Sequence, residues 1–203
     1  MRKLVIIGAS GHGKVVADIA KKNGYREIFF LDDNENIHEC SNYPVVGKIS
    51  EAKNMNADFF IGIGNADIRK RIQEMLDKKC IVTLIHPDAV IAEDVKIGIG
   101  TVVMAGAVIN LGTRIGQGCI INTCSSVDHD CAVGDFVHIS VGAHVAGTCE
   151  IGEKTWIGAG ATISNNVSIC GDCMIGAGAV VLKNIRNSGT YVGIPAKRKD
   201  IHR

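Results

Sequence analysis

From residue 85 to residue 181 the chain reads IHPDAV IAEDVK IGIGTV VMAGAV INLGTR IGQGCI INTCSS VDHDCA VGDFVH ISVGAH VAGTCE IGEKTW IGAGAT ISNNVS ICGDCM IGAGAV V. Every sixth residue is Ile or Val, seventeen times without a break, from Ile85 to Val181. Four residues after each of the first sixteen stands only Ala, Val, Thr, Cys or Ser, and Gly follows directly at Gly98, Gly116, Gly134, Gly152, Gly158 and Gly176. A fixed short repeat of this kind is the signature of a parallel β-helix. Six residues are too few for an amphipathic helical stripe, and a period-2 strand would show more apolar positions. They suffice for a short strand and a corner: a β-branched side chain points inward, a small one fits near the turn, and Gly takes the backbone around. Three such sides close an 18-residue coil, so the repeats predict a prism of a little under six coils, ~27 Å tall at ~4.8 Å per coil. Each coil bonds only to its neighbours, and the open ends need caps.

Composition agrees with such a core. The 203 residues are 46% hydrophobic but only 4% aromatic, which suits Ile, Val and Ala. Net charge is +1, from 22 basic and 21 acidic residues, which speaks against nucleic acid or an anionic membrane surface as partner. Met1-Arg2-Lys3 is followed by four apolar residues before Gly8, too few for a signal-peptide core, and no run long enough to span a membrane occurs. A cytoplasmic protein with reduced thiols is expected. Of the eight cysteines, Cys119, Cys131, Cys149 and Cys173 fall on the small-residue position and read as small hydrophobes. Cys170 and Cys173 form one Cys-x-x-Cys with no second pair, so packing is a better reading than zinc or redox chemistry.

Residues 1–84 follow another grammar. Leu4–Ile7 reads as a buried strand, Gly8–Gly13 as a glycine turn, and Lys14–Asn23 as a helix with Val15, Val16, Ile19 and Ala20 on one face and Gly24 as its stop. Glu27–Leu31 is a second strand ending in Asp32-Asp33. Lys48–Lys53 is a possible helix, Asp58–Ile63 a third strand, and Gly64-Asn65 leads into a helix to about Asp77. Alternating strands and helices imply a small Rossmann-like parallel α/β sheet. Residues 85–183 then form the β-helix, and residues 184–203 a C-terminal tail. Gly8-Ala9-Ser10-Gly11-His12-Gly13 joins a strand to a helix N-terminus with the spacing G-x-x-G-x-G, not the dinucleotide fingerprint. It either presents amides to a phosphate or serves only tight packing. Asp32-Asp33 either reaches a ribose or base edge or is solvated. Gly64-Asn65 closes a second glycine turn near the same crevice, and the three together point to a nucleotide-sized ligand.

The combination GASGHG, FLDD, IGIGN, hexads, NTCSSVDHDC and GIPAK resembles the hexapeptide-repeat sugar acyltransferases, above all those that N-acetylate UDP-4-amino-4,6-dideoxy sugars as in bacillosamine synthesis. The resemblance covers essentially the whole chain. It implies a left-handed winding, which strand chirality alone would not favour, and a homotrimer with acetyl-CoA between neighbouring prisms. It also implies a UDP-amino-sugar on the N-terminal domain and no metal. On the matching positions it makes His129 the general base, suited to take a proton from an attacking amine near neutral pH. The acid beside it is usually glutamate; here it is Asp130, one methylene shorter, so a looser or water-mediated contact is expected. The Gly147 N–H is implied as donor to the thioester oxyanion.

His138 matches a second histidine near the acetyl group and pantetheine arm, where a positioning hydrogen bond is favoured over proton transfer. Asn122 lines the same cleft or makes plain corner hydrogen bonds. Ser10, Gly11, His12, Gly13, Asp32, Asp33, Gly64 and Asn65 are the implied substrate contacts. Pro195 and Ala196 match a loop beside the adenine end of CoA, where Lys197 and Arg198 either meet phosphates or form a solvated basic tail. His129, His138 and His144 do not reproduce the ligand spacing of hexapeptide-repeat carbonic anhydrases. Trp156 reads as cover for a prism face or subunit contact. Two other functions stay open on sequence alone: an O-acetyltransferase of a sialic-acid-type or other sugar hydroxyl, and a non-catalytic hexapeptide-repeat scaffold.

Overall fold

Pairing between residues eighteen apart builds the C-terminal half of the protein, whose computed structural model describes residues 3–199. The chain divides into two compact units, Met1–Pro87 and Asp88–Arg203. In the second unit, strands of mostly two residues stack in parallel on three faces. The first face carries Val90–Ile91, Val108–Ile109, Ser126–Val127, His144–Val145, Thr162–Ile163 and Val180–Val181. The second runs from Lys96–Ile97 through Ala132–Val133 to Ser168–Ile169. The third includes Val102–Val103, Ile120–Ile121, His138–Ile139, Trp156–Ile157 and Cys173–Ile175. The chain visits the faces in that order and returns one coil further on, in the register Ser126↔His144 and Val127↔Val145. The Ile or Val that closes each strand points inward. From Val103 to Val181 these residues are at most 4% exposed and form one continuous core.

The small-residue position does more than save space. Thr101, Thr113 and Thr155 are fully buried, and each hydroxyl donates to a carbonyl fifteen residues on, at 2.7–3.1 Å. The same oxygens accept the N–H of Cys119, Cys131 and Cys173, eighteen residues on. A buried hydroxyl is tolerable only when bonded in this way. Cys131 plays the part with its sulfur, accepting from the Cys149 N–H at 3.4 Å. The four core cysteines are 0–3% exposed, as their place in the repeat predicts, and none of the eight cysteines is in a disulfide.

The corners depart from the sequence reading. The Gly directly after Ile or Val does not turn the backbone; a Cβ at Gly98 would lie 2.5 Å from the Gln117 nitrogen, so Gly is needed there for close approach of the next coil. The turn sits two residues later. Every sixth residue from Gly100 to Gly178 has positive φ, and seven of these positions are not Gly: Cys124, Asp130, Phe136, Thr148, Lys154, Asn166 and Asp172, with φ of 53–60°. Such a conformation is costly for L-residues other than Gly, and most costly for a β-branched one.

In the first unit, β1 (Lys3–Ile7) lies between β2 (Glu27–Leu31) and β5 (Asp58–Ile61), all parallel. The hairpin strands β3 (Glu39–Cys40) and β4 (Tyr43–Pro44) and a 3₁₀ turn, Ile49–Asn54, connect β2 to β5. Helix α1 spans Gly11–Lys22, so it begins three residues before the expected Lys14 and takes Gly11, His12 and Gly13 into its first turn. Its buried stripe is then Gly13, Val16, Ala17, Ile19 and Ala20, whereas Val15 is 43% exposed. The close packing of α1 on β1 explains Gly13: a Cβ there would lie 2.2 Å from the Gly8 carbonyl oxygen. Helix α2, Ala66–Met75, is capped by the Asn65 side chain, which accepts the Ile68 N–H.

Ile139→Ala is expected to cost about 2–5 kcal/mol, the range for a buried large-to-small change, read from denaturant melting. Thr148→Gly, which keeps the Thr148 amide bond to the His129 carbonyl, is expected to raise stability by up to about 1 kcal/mol in the same assay by relieving the left-handed backbone.

Candidate active site

The candidate site residues fall in three places, a cavity in the first unit and a corner and a groove of the prism. In the first unit a cavity of about 620 Å³ opens at the C-terminal ends of the strands, where parallel sheets hold ligands. Of the residues singled out from sequence, Ser10, Asp32, Asp33 and Gly64 line it. Gly11, His12, Gly13 and Asn65 do not. Asp32 is already engaged: Oδ2 accepts the Ala9 N–H at 2.8 Å and Oδ1 the Asn34 N–H at 2.9 Å, so it ties the glycine turn to the end of β2. Asp33 accepts from the Ile49 amide with Oδ1. The buried Arg69 donates to the carbonyls of Ile63 and Gly64 and fixes the second glycine turn. Burial, reinforced by that guanidinium, lowers the His12 pKa to about 4, so its ring is neutral near pH 7. Ile68, Arg71, Ile72 and Met75 complete the wall. Sequence reading passed over them, although their i, i+3, i+4, i+7 spacing puts them on one stripe of α2.

In the prism, His129 stands at the corner between the first and second faces. Its Nδ1 is 2.9 Å from Asp130 Oδ2, a direct contact and not the looser one expected of a shortened side chain. The left-handed backbone of Asp130, φ 57°, turns its carboxylate back toward the ring, and Gly112 one coil away leaves it room: a Cβ there would lie 2.4 Å from Asp130 Oδ1. The other ring nitrogen faces Gly147, eighteen residues on; a Cβ at Gly147 would stand 2.4 Å from His129 Nε2. The hydrogen bond to Asp130, and then the charge of Asp128, raise the His129 pKa above its ordinary value. Asp128 is itself held by Asn110 and by the His129 amide.

His138 lies elsewhere. It projects outward from the third face, and the whole first face separates it from His129 within one chain. Its ring stacks on Trp156 at 4.9 Å between centroids, and Asn122 Nδ2 is 3.1 Å from its Nε2. Both line a groove of about 430 Å³ with Ser140, Val141, Met174 and the bare corners Gly158 and Gly176. Trp156, read from sequence as surface cover, is thus part of this groove; it stands eighteen residues after His138, one coil on. At the C-terminus, Gly189–Val192 pairs with Lys197–Arg198. Ala196 bonds back to Val180, Arg198 donates to the Ser188 carbonyl, and Pro195 and Lys197 are exposed. His144 contacts Ser126 at 2.9 Å on the first face. Among the described residues no three His, Cys, Asp or Glu side chains gather to hold a metal ion, and no helix is long and apolar enough to cross a membrane.

The chain matches the PglD N-terminal domain family over residues 3–76 and the bacterial transferase hexapeptide family (six repeats) over residues 148–183. It is 41% identical to the acetyltransferase domain of PglB from Neisseria gonorrhoeae FA1090, covering 98% of this chain and 100% of that one at a TM-score of 0.93. It is 33% identical to PerB from Caulobacter crescentus, solved with CoA and GDP-perosamine, covering 98% of each chain at a TM-score of 0.92. The chain belongs to the hexapeptide-repeat sugar N-acetyltransferases. A curated member, UDP-N-acetylbacillosamine N-acetyltransferase of Bacillus subtilis (strain 168), is 35% identical over 113 residues, 52% of either chain, so the match spans about half of that relative. The PglB domain has also been solved with acetyl coenzyme A. In this sugar N-acetyltransferase the prism is the left-handed β-helix of the family, with the parallel α/β unit before it.

Asp130→Asn is expected to bring the His129 pKa back down toward its ordinary value, since the carboxylate is the main stabiliser of the imidazolium; a histidine NMR titration reads it. Gly147→Ala is expected to keep the fold while pushing the His129 ring aside, visible as a changed His129 chemical shift with an unchanged melting temperature.

Proposed function

We propose that this protein transfers the acetyl group of acetyl-CoA to the 4-amino group of a UDP-4-amino-4,6-dideoxy sugar, in bacterial glycan biosynthesis. The observation that carries this reading is the pair His129 and Gly147. One ring nitrogen is held by Asp130, which leaves Nε2 as the acceptor, and that atom faces the Gly147 backbone. As the sugar amine attacks the thioester carbon, Nε2 takes its proton and the Gly147 N–H donates to the oxyanion. Transfer is direct, and CoA leaves as the thiol. The relatives support the acyl donor and an amino-sugar acceptor: one is solved with acetyl coenzyme A and another with GDP-perosamine. The uridine nucleotide rests on the Bacillus relative, whose name contains UDP-N-acetylbacillosamine.

The nucleotide occupies the cavity beside Asp33, and acetyl-CoA runs along the groove at Asn122 and His138 toward Lys197 and Arg198. Because one chain holds His129 and that groove on different sides of the first face, the site is completed by a neighbouring chain, and a homotrimer supplies it.

The test is CoA thiol release from acetyl-CoA with a UDP-4-amino-4,6-dideoxy sugar, with GDP-perosamine and a sialic acid in parallel. Release with the UDP-amino sugar alone is expected; release only with the sialic acid would replace the reading by O-acetylation. His129→Ala is expected to lower kcat by about 10²-fold or more. In the unmodified enzyme the rate is expected to rise with pH through the elevated pKa of His129, because only the neutral ring accepts a proton.

A further inference from the structure

One corner of the prism carries a side chain where its other coils carry none. Between the second and third faces, successive coils place Gly98, Gly116, Gly134, Gly152 and then Cys170, each eighteen residues on. A Cβ at any of the four glycines would lie 2.3–2.8 Å from the next coil. Cys170 escapes this crowding because the stack ends there: the next pass of the chain adds a single bridge, Ile169 to Ile185, and no full strand. Three residues later Cys173 takes the small-residue position of the same corner, where it is 3% exposed. The two sulfurs are 3.6 Å apart, in contact and unbonded. Thr155, one coil back, holds both ends of the corner. Its hydroxyl donates to the Cys170 carbonyl at 3.1 Å and accepts the Cys173 N–H at 3.4 Å. Cys170 is only half-buried, so the pair joins a partly exposed thiol to a buried one.

Packing accounts for Cys173, which stands where other coils have Thr101, Val137 and Thr155, but not for Cys170. We propose that Cys170 and Cys173 form a reversible oxidation site, a dithiol that hydrogen peroxide converts to an intramolecular disulfide. The partly exposed Cys170 meets the oxidant first. Its thiolate attacks one peroxide oxygen, the O–O bond breaks, and hydroxide leaves, giving a sulfenic acid on Cys170. The sulfur of Cys173 then displaces that hydroxyl. The S–S bond forms as the S–O bond breaks, and the thiol proton of Cys173 departs with the hydroxide as water. Two thiols lose two electrons in all, and the peroxide is reduced to two molecules of water. Burial, and then the neighbouring Cys170 sulfur, push the Cys173 thiol up to about 12. The charge of a Cys170 thiolate is gone once that residue is a sulfenic acid, which eases ionisation of Cys173 for the second step. Closing the gap from 3.6 Å to the ~2.05 Å of an S–S bond asks the two sulfurs to approach by about 1.5 Å. A thiol reductant reverses the bond, so in a reducing compartment it forms only transiently. Neither sulfur belongs to the acetyl-transfer site proposed above.

The full-length protein is treated near neutral pH with a few equivalents of hydrogen peroxide, alkylated after unfolding, and digested with trypsin. Thr155–Lys183 is a single tryptic peptide that holds these two cysteines and no other. It is expected to lose two hydrogens, to take up no alkyl group, and to recover two alkylatable thiols after dithiothreitol. Oxygen added to the adjacent Met174 is read separately by fragmentation of the same peptide. In Cys170→Ser, a change at the half-buried member of the pair, Cys173 is expected to stay fully alkylatable at the same dose. Cys170→Gly restores the residue of the four other coils, so it is expected to fold and to leave Cys173 equally inert, should the serine variant misfold. Two results would overturn the proposal. One is full alkylation of both cysteines at a dose that oxidises the exposed Cys124; the other is Cys170 carried on to a sulfinic acid with Cys173 still a thiol.

Discussion

Everything in the prism depends on the backbone bond between a residue and the carbonyl seventeen further along, one coil away. Val108 donates to Ser125, Ser126 to Ala143, and His144 to Ala161, each at 2.8–3.0 Å. These bonds hold short strands that have no stability of their own. They are kept in line by the Ile–Val core and by the Thr and Cys side chains that bridge successive coils from within. Because the stack is regular, a side chain's neighbours are those eighteen residues before and after it. Three of the contacts at the site follow this rule: His129 faces Gly147, Asp130 fits over Gly112, and His138 stacks on Trp156.

The functional groups are placed where the stack bends or stays bare. Left-handed corner residues present side chains that a strand would hold against its neighbours, and Asp130 uses that conformation to reach His129. Gly158 and Gly176 line the groove beside His138 and Asn122, and each is also packed too closely against neighbouring chain to carry a Cβ. The first unit uses glycine differently. Gly8 has φ 107° and Gly13 admits the helix against β1, while a Cβ on Gly11 would meet nothing within 4 Å. Only the last of the three is free of a packing duty. Similarly, Asp32 spends both oxygens on backbone amides, so of the acidic pair Asp33 keeps the freer carboxylate in the cavity.

Most of the architecture was legible because a periodic constraint writes itself into sequence. The hexads gave the faces, the inward positions and the cysteine packing, and β2 was read to the residue. What sequence could not show was conformation within the period. The glycine that follows six of the Ile and Val residues was taken as the turn, whereas the turn lies two residues later and is occupied by Gly in only half of its positions, because hydrogen bonding on both sides forces the backbone there whatever the residue. The start of α1 was misplaced because Gly11–Gly13, poor helix formers, are helical through packing on β1. The stacking of Trp156 on His138 was not legible, since a single aromatic carries no signal until it is set one coil from that ring. Direct contact from Asp130 was not foreseen because side-chain length says nothing about the φ beneath it.

The three-sided stack also sets a rule for how such a chain can change in length. Adding six residues ahead of Val127 would move every later side chain on to the next face, separating His129 from Leu111 above it while leaving all the Ile and Val positions inside. Adding eighteen would return each group to its own face and merely insert a floor. The core therefore tolerates insertions in steps of six, but only steps of eighteen return each later side chain to its own face. Length variants among such proteins should sort into those that keep their sites and those that keep only their shape.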